Sequence, residues 1–130
     1  MFVLDASTVV EILLRSAVGR ALWSRLASPW NSLYAPEFLD IEVLHVLRRM
    51  AAFDGLPPAL ARAALSNLLQ FPLERFPHAP LLPRMWELRH NLSAYDAAYV
   101  ALAEGLGAPL LTRDARISRA PGHQAKVEVV

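Results

Sequence analysis

The chain has no cysteine. That absence excludes disulfide frameworks, thiol nucleophiles and cysteine-ligated zinc, and it fits a reducing compartment. Lysine is nearly absent too: of the 13 basic residues, Lys126 is the one lysine and the rest are arginine. A phosphoacceptor receiver domain, which needs a lysine close to a set of adjacent acids, is disfavoured on that ground. No apolar run is long enough to cross a bilayer. Met1-Phe2-Val3-Leu4-Asp5 lacks the basic region and cleavage site of a signal peptide, so a cytoplasmic location without a membrane partner is expected. There is no internal repeat, low-complexity tract or linker, and a net charge of +1 says little about partners by itself.

What is present is an apolar majority, with 55% hydrophobic residues against 19% charged in 130 residues. Such a chain is expected to form a single domain spanning residues 1–130, burying roughly two thirds of its unfolded surface. Short apolar strands alternate with helical patterns. Strands are expected at 2–5, 32–35, 73–76, 109–112 and 126–130. Helices are expected at 7–15 and 18–27, from Pro36 to Asp54-Gly55, from Pro57-Pro58 through Phe71, at 82–90, and from Ser93 to Gly105 or Gly107. Short strands joined by helical crossovers predict a three-layer α/β/α fold, a mostly parallel sheet of about five strands with helices on both faces.

Four carboxylates, Asp5, Glu42, Asp96 and Asp114, lie inside or against apolar runs, where a lone acid is costly unless something compensates it. Asp5 and Asp114 follow strands, at the sheet edge where open α/β folds bind ligands. Each alone also reads as a helix cap or turn residue. Glu42 shares a helical face with Phe38, Leu39, Val46 and Met50, whereas Asp40 points away and is expected to be the solvated acid. Ser93-Ala94-Tyr95-Asp96 matches a capping box, yet the alanines and apolar residues around it predict a buried first turn. Carboxylates that converge raise one another's pKa unless a cation intervenes, and oxygen-only ligands select hard ions such as Mg²⁺ or Mn²⁺. Ser7 and Thr112 are candidate hydroxyls for orienting the acids. Arg113, Arg116 and Arg119 near Asp114, with Arg48 and Arg49 after Glu42, would surround an acidic pocket with phosphate-binding groups. A haloacid-dehalogenase-like phosphatase would want a second aspartate where this chain has Ser7.

Four segments then carry a resemblance. Val3-Leu4-Asp5-Ala6-Ser7, the stretch from Pro36 through Glu42 to Leu47, Ser93-Ala94-Tyr95-Asp96 with the helix to Ala103, and Leu111-Thr112-Arg113-Asp114 resemble, in order, the acidic motifs of the PIN-domain ribonucleases. The resemblance is specifically to the toxin component of VapBC-type toxin–antitoxin pairs. It implies Mg²⁺ or Mn²⁺ bound by Asp5, Glu42, Asp96 and Asp114, activation of a water against an RNA phosphodiester, a homodimer, and a VapB-type antitoxin lying in an apolar groove. Trp23, Leu26 and Trp30 are candidates for that groove. His45 stands where the family often shows asparagine and is expected to be a packing or surface residue. The competing reading is a catalytically idle module that only holds an antitoxin or RNA.

Overall fold

The computed structural model describes residues 1–130. In chain order the elements are β1 (Phe2–Leu4), α1 (Ala6–Leu13), α2 (Ala17–Leu26), β2 (Leu33–Pro36), α3 (Leu39–Phe53), α4 (Pro58–Gln70), β3 (Leu73–Phe76), α5 (Leu82–Glu87), α6 (Ala94–Leu106), β4 (Leu110–Thr112), α7 (Ala115–Arg119) and β5 (Val127–Val129). The five strands form one all-parallel sheet in the order β3-β2-β1-β4-β5. Consecutive residues point to opposite faces of a strand. Val3 and Leu4 of β1 and Leu110 and Leu111 of β4 are all 0% exposed, so both faces of the sheet are covered.

Right-handed crossovers decide which helices cover which face. The chain steps from β1 to β2 to β3 in one direction and then returns across the sheet to β4, so α1 to α4 fall on one face and α5 and α6 on the other. The packing agrees: α1 lies against α2, α3 and α4, while α6 lies across β1, β2 and β4 with α5 on its outside. Between β1 and β4 the strand order reverses, because the chain leaves β1 towards β2 and leaves β4 towards β5. A crevice opens there, at the carboxyl edge of the sheet.

Two glycines are required by the backbone. A Cβ on Gly19 of α2 would stand 1.9 Å from the Glu11 carbonyl oxygen, so only glycine lets α2 approach α1 this closely. Gly107 ends α6 in the left-handed region, at φ 60°. The expected helix at 82–90 is shorter than its periodicity suggests. Residues Ala79–Leu81 form a 3-10 turn ahead of it, and it stops at Glu87, where the Leu88 amide is shared between the Arg84 and Met85 carbonyls at 3.2 Å each. The long helix begins at Leu39 rather than near Pro36, because Pro36 still pairs with Phe76 as the last residue of β2.

Candidate active site

Every helix that follows a strand, and α6, which leads into β4, has its amino end at the carboxyl edge of the sheet. Each of the four acids occupies such an end. Asp5 is the N-cap of α1 and Asp114 the N-cap of α7, while Glu42 and Asp96 lie in the first turns of α3 and α6. Free N–H groups and the helix dipole favour negative charge at these positions. All four line one cleft of about 730 Å³.

Asp5 is 7% exposed and is held on both oxygens. Oδ1 accepts from the Thr8 amide at 2.9 Å and the Ser7 hydroxyl at 2.7 Å, and Oδ2 accepts from the Thr112 hydroxyl. The same hydroxyls continue to the other side of the crevice: Thr112 Oγ1 accepts from the Asp114 amide at 2.9 Å, and Ser7 Oγ from the Arg113 amide at 3.1 Å. Thr8 Oγ1 donates to the Leu111 carbonyl at 3.0 Å, adding a third link between α1 and the end of β4. The loops carrying Asp5 and Asp114 therefore have one fixed spacing.

Glu42 reaches the cleft from α3, and its Oε1 accepts from the Tyr99 hydroxyl at 2.6 Å. Burial pushes the Glu42 carboxyl above its ordinary range; the Tyr99 hydrogen bond opposes this, while the charges of Asp5 and Asp96 reinforce it. Tyr99 is 1% exposed, and burial together with the Glu42 charge pushes its phenol far up, so it stays a donor. Asp96 is raised as well, first by burial and then by the charges of Asp114 and Asp5, with the Ser93 hydroxyl and Arg116 pulling the other way. Ser93 caps α6 by accepting from the Asp96 amide at 3.1 Å. Serine thus supplies the cap, and the Asp96 side chain lines the cleft.

Asp114 differs from the other three. The Arg116 guanidinium grips both its oxygens, through Nε at 3.0 and 3.1 Å and Nη2 at 2.6 Å, and this hydrogen bonding holds the carboxyl below its usual range. No arginine or lysine stands within ion-pair distance of Asp5, Glu42 or Asp96. In this arrangement no three acidic or imidazole side chains cluster tightly enough to hold a metal ion.

Other expected residues fall in different places. Arg113 lines the cleft, with Nη1 donating to the Val130 carbonyl at 2.8 Å. Arg48, Arg49 and Arg119 are exposed and do not line the cleft. Asp40 does point away from the cleft, but it is not simply solvated: Arg75 of β3 donates to both its oxygens, at 2.7 and 2.9 Å. Of Trp23, Leu26 and Trp30, two are exposed and one is buried. Leu26 is 1% exposed in the core, because it lies on the inner face of α2 beside Leu22, and Trp30 stands 90% exposed in the following loop. Trp23 instead packs against Phe71 at 5.5 Å and lines a separate cavity of about 450 Å³ among α1, α2 and α4. His45 is exposed and lines the acidic cleft.

Tyr99 and Tyr95 also line the cleft, although the sequence suggests Tyr99 only as an apolar neighbour of Asp96 and Tyr95 only as part of the capping-box segment. The available signal was spacing. Tyr99 follows Asp96 by three, as His45 follows Glu42, which places each pair on one helical face.

Residues 2–123 match the PIN domain family. Ribonuclease VapC12 of Mycobacterium tuberculosis is 38% identical over 130 residues, spanning 100% of this chain and 99% of its own length. Ribonuclease VapC1 of the same organism is 42% identical over 129 residues, 98% of this chain and 96% of its own. The crystal structure of VapBC2 from Rickettsia felis bound to a DNA fragment from their promoter superposes with a TM-score of 0.71 at 14% identity, covering 98% of this chain and 97% of the other. By sequence and by fold, this chain belongs to the PIN domain family, with VapC ribonucleases as relatives along its whole length.

Proposed function

We propose that this chain is a metal-dependent endoribonuclease and the toxin of a toxin–antitoxin pair, using Mg²⁺ or Mn²⁺ held by Asp5, Glu42, Asp96 and Asp114. The observation that carries the reading is the acidic cleft at the sheet's reversal point, where Glu42 and Asp96 are held above their ordinary range and no basic side chain neutralises Asp5, Glu42 or Asp96. The donors are all oxygens and three of the four acids carry uncompensated charge, the chemistry that a hard divalent cation selects; holding one would draw the carboxylates closer together than they stand here. When bound, such an ion lowers the pKa of a water and offsets charge on the phosphate.

The chain's own residues do the positioning. Ser7 and Thr112 fix the rotamer of Asp5, and Tyr99 fixes Glu42, so both carboxylates are pre-aimed into the cleft. Release of Asp114 by Arg116 would leave a guanidinium at the rim, free to take an RNA phosphate, with Arg113 beside it. Water oxygen attacks phosphorus as the P–O bond to the leaving oxygen breaks, and the proton that the water gives up balances the one that the leaving oxygen takes up.

The single-domain, cytoplasmic and homodimeric states belong to the same reading, as does a VapB-type antitoxin. The names of the full-length relatives and of the VapBC2 complex support the ribonuclease and the antitoxin partner. The grip of Arg116 on Asp114 favours a second reading, an idle module that only holds antitoxin or RNA. One experiment separates them: RNA cleavage is measured in excess chelator and then across a Mn²⁺ titration, with Asp96→Asn alongside. Cleavage restored by Mn²⁺ and lost in Asp96→Asn supports the nuclease; full cleavage in chelator, or none at any Mn²⁺ concentration, refutes it.

A further inference from the structure

The acidic cleft has an apolar lip with no part in holding a cation. Tyr95, in the first turn of α6, is 59% exposed, and Ile41 of α3 is 68% exposed; both line the cleft alongside the four acids. Tyr95 is not a loose side chain. Its ring meets Phe38 nearly perpendicularly, at 86° with centroids 5.3 Å apart, and Phe38 meets Tyr99 at 83° and 5.7 Å. The residue that orients Glu42 thus belongs to the same aromatic stack that orients Tyr95. A perpendicular contact of this kind holds a ring in place and lets Phe38 cover at most one face of Tyr95.

An anionic RNA approaching four carboxylates is repelled before any cation helps, so a pocket that accepts it needs an attraction independent of charge. Base stacking on an aromatic ring supplies one. Bases in a duplex have both faces already covered, whereas unpaired bases can be splayed out and stacked on tyrosine. We propose that Tyr95, with Ile41, forms a stacking subsite for one unpaired nucleobase beside the carboxylates, so that the substrate must present an unstacked base next to the scissile phosphate. The proposal rests on the RNA reading above.

The test uses the full chain in chelator, where binding is read without turnover and acid repulsion is common to all variants. The probe is a short single-stranded RNA with 2-aminopurine stepped through successive positions, compared with the same strand paired to its complement. Wild type and Tyr95→Phe should quench the fluorescence at one register. Tyr95→Leu, which keeps bulk against Phe38, and Tyr95→Ala should abolish that quenching and weaken single-strand binding by roughly 5- to 150-fold, the range for losing one base–aromatic stack. Duplex binding should be unchanged by either substitution. Equal quenching and affinity in Tyr95→Leu would overturn the proposal, as would equal losses for single strand and duplex. A change from dimer to monomer in sedimentation at unchanged single-strand affinity would overturn it too, by assigning Tyr95 to a contact between copies. Because the readout needs no cleavage, a protein that stacks bases but never cuts RNA would refute the nuclease and retain the subsite. One that cuts RNA regardless of Tyr95 would do the reverse.

Discussion

Removing one hydroxyl, by Tyr99→Phe, tests the central electrostatic argument. Tyr99 is 1% exposed and its hydroxyl donates to Glu42 at 2.6 Å, so the substitution keeps the ring's packing and deletes a single charge-assisted hydrogen bond. A hydrogen bond to a charged group contributes roughly 1.5–3 kcal/mol, and a partly open cleft places this one near the lower end. Burial and the charges of Asp5 and Asp96 would then act on Glu42 unopposed, raising its pKa further. The sign follows from linkage. An acid whose pKa is higher folded than unfolded contributes stability below its unfolded pKa and loses it as pH rises through the folded value. The metal-free variant should therefore lose about 1–2 kcal/mol at pH 7, lowering Tm by several degrees. Near pH 4 and below, where Glu42 is protonated, the deficit should shrink to that of a neutral hydrogen bond, roughly 0.5–1.5 kcal/mol.

Chemical denaturation in chelator at the two pH values measures this directly. A double-mutant cycle with Glu42→Gln isolates the pair, since glutamine also accepts from the phenol but carries no charge. With Mn²⁺ present, loss of an orienting partner should lower metal affinity or activity by roughly 10- to 100-fold. A Tyr99→Phe protein whose stability deficit is the same at both pH values, or absent at both, would show that Glu42 is not the charged, buried group described here.

The remaining carboxylates respond differently. In chelator at neutral pH, Glu42→Gln should raise Tm, because it removes a charge that burial and Asp5 and Asp96 disfavour, with the gain fading as pH falls. Asp5→Asn should lower Tm by thermal melt, since an amide nitrogen cannot accept from the buried Thr112 hydroxyl; the cost is about 1–3 kcal/mol, and an unchanged or raised Tm would refute the hydrogen-bond assignment. Asp40→Asn should leave cleavage intact and cost no more than about 1 kcal/mol through its pair with Arg75. Arg116→Ala should tighten Mn²⁺ binding in calorimetry by freeing Asp114, while flattening the salt dependence of RNA binding by roughly one phosphate contact.

Much of the sheet was legible because its strands are short apolar runs bounded by turn residues, and the βαβ rhythm leaves few arrangements. Phase on α3 was legible too, since Glu42 and Asp40 are about 200° apart on a helix, and the first lines the cleft while the second pairs with Arg75. What periodicity cannot carry is partnership between distant segments. The Tyr99 hydroxyl and Glu42 are separated by 57 residues, and the Thr112 hydroxyl and Asp5 by 107; only the strand order brings them together. The same limit keeps the sequence from telling Leu26 from Trp30. An aromatic or leucine near a helix end looks much the same in sequence whether it faces the core, as Leu26 does, or open solvent, as Trp30 does.

The acids also resolve an apparent choice between capping and function. Asp5 is a true cap, accepting from Thr8, and a cleft residue at once; so is Asp114, accepting from the Arg116 amide at 2.9 Å. The two roles coincide for a geometric reason. A carboxylate at a helix amino end is stabilised by free N–H groups, and a parallel α/β sheet gathers such ends along one edge. Where the strand order reverses, two of those ends face each other across a crevice. The fold thereby gathers negative charge at lower cost than an apolar surface would impose, and the hydroxyls of Ser7 and Thr112 carry that stabilisation from one side to the other. Glu42 and Asp96, in the first turns of α3 and α6, lack a backbone amide bonded to the carboxylate, and these are the two whose protonation is made easier. The two acids without a backbone cap are thus the two whose charged form burial disfavours, and a bound cation would compensate them most.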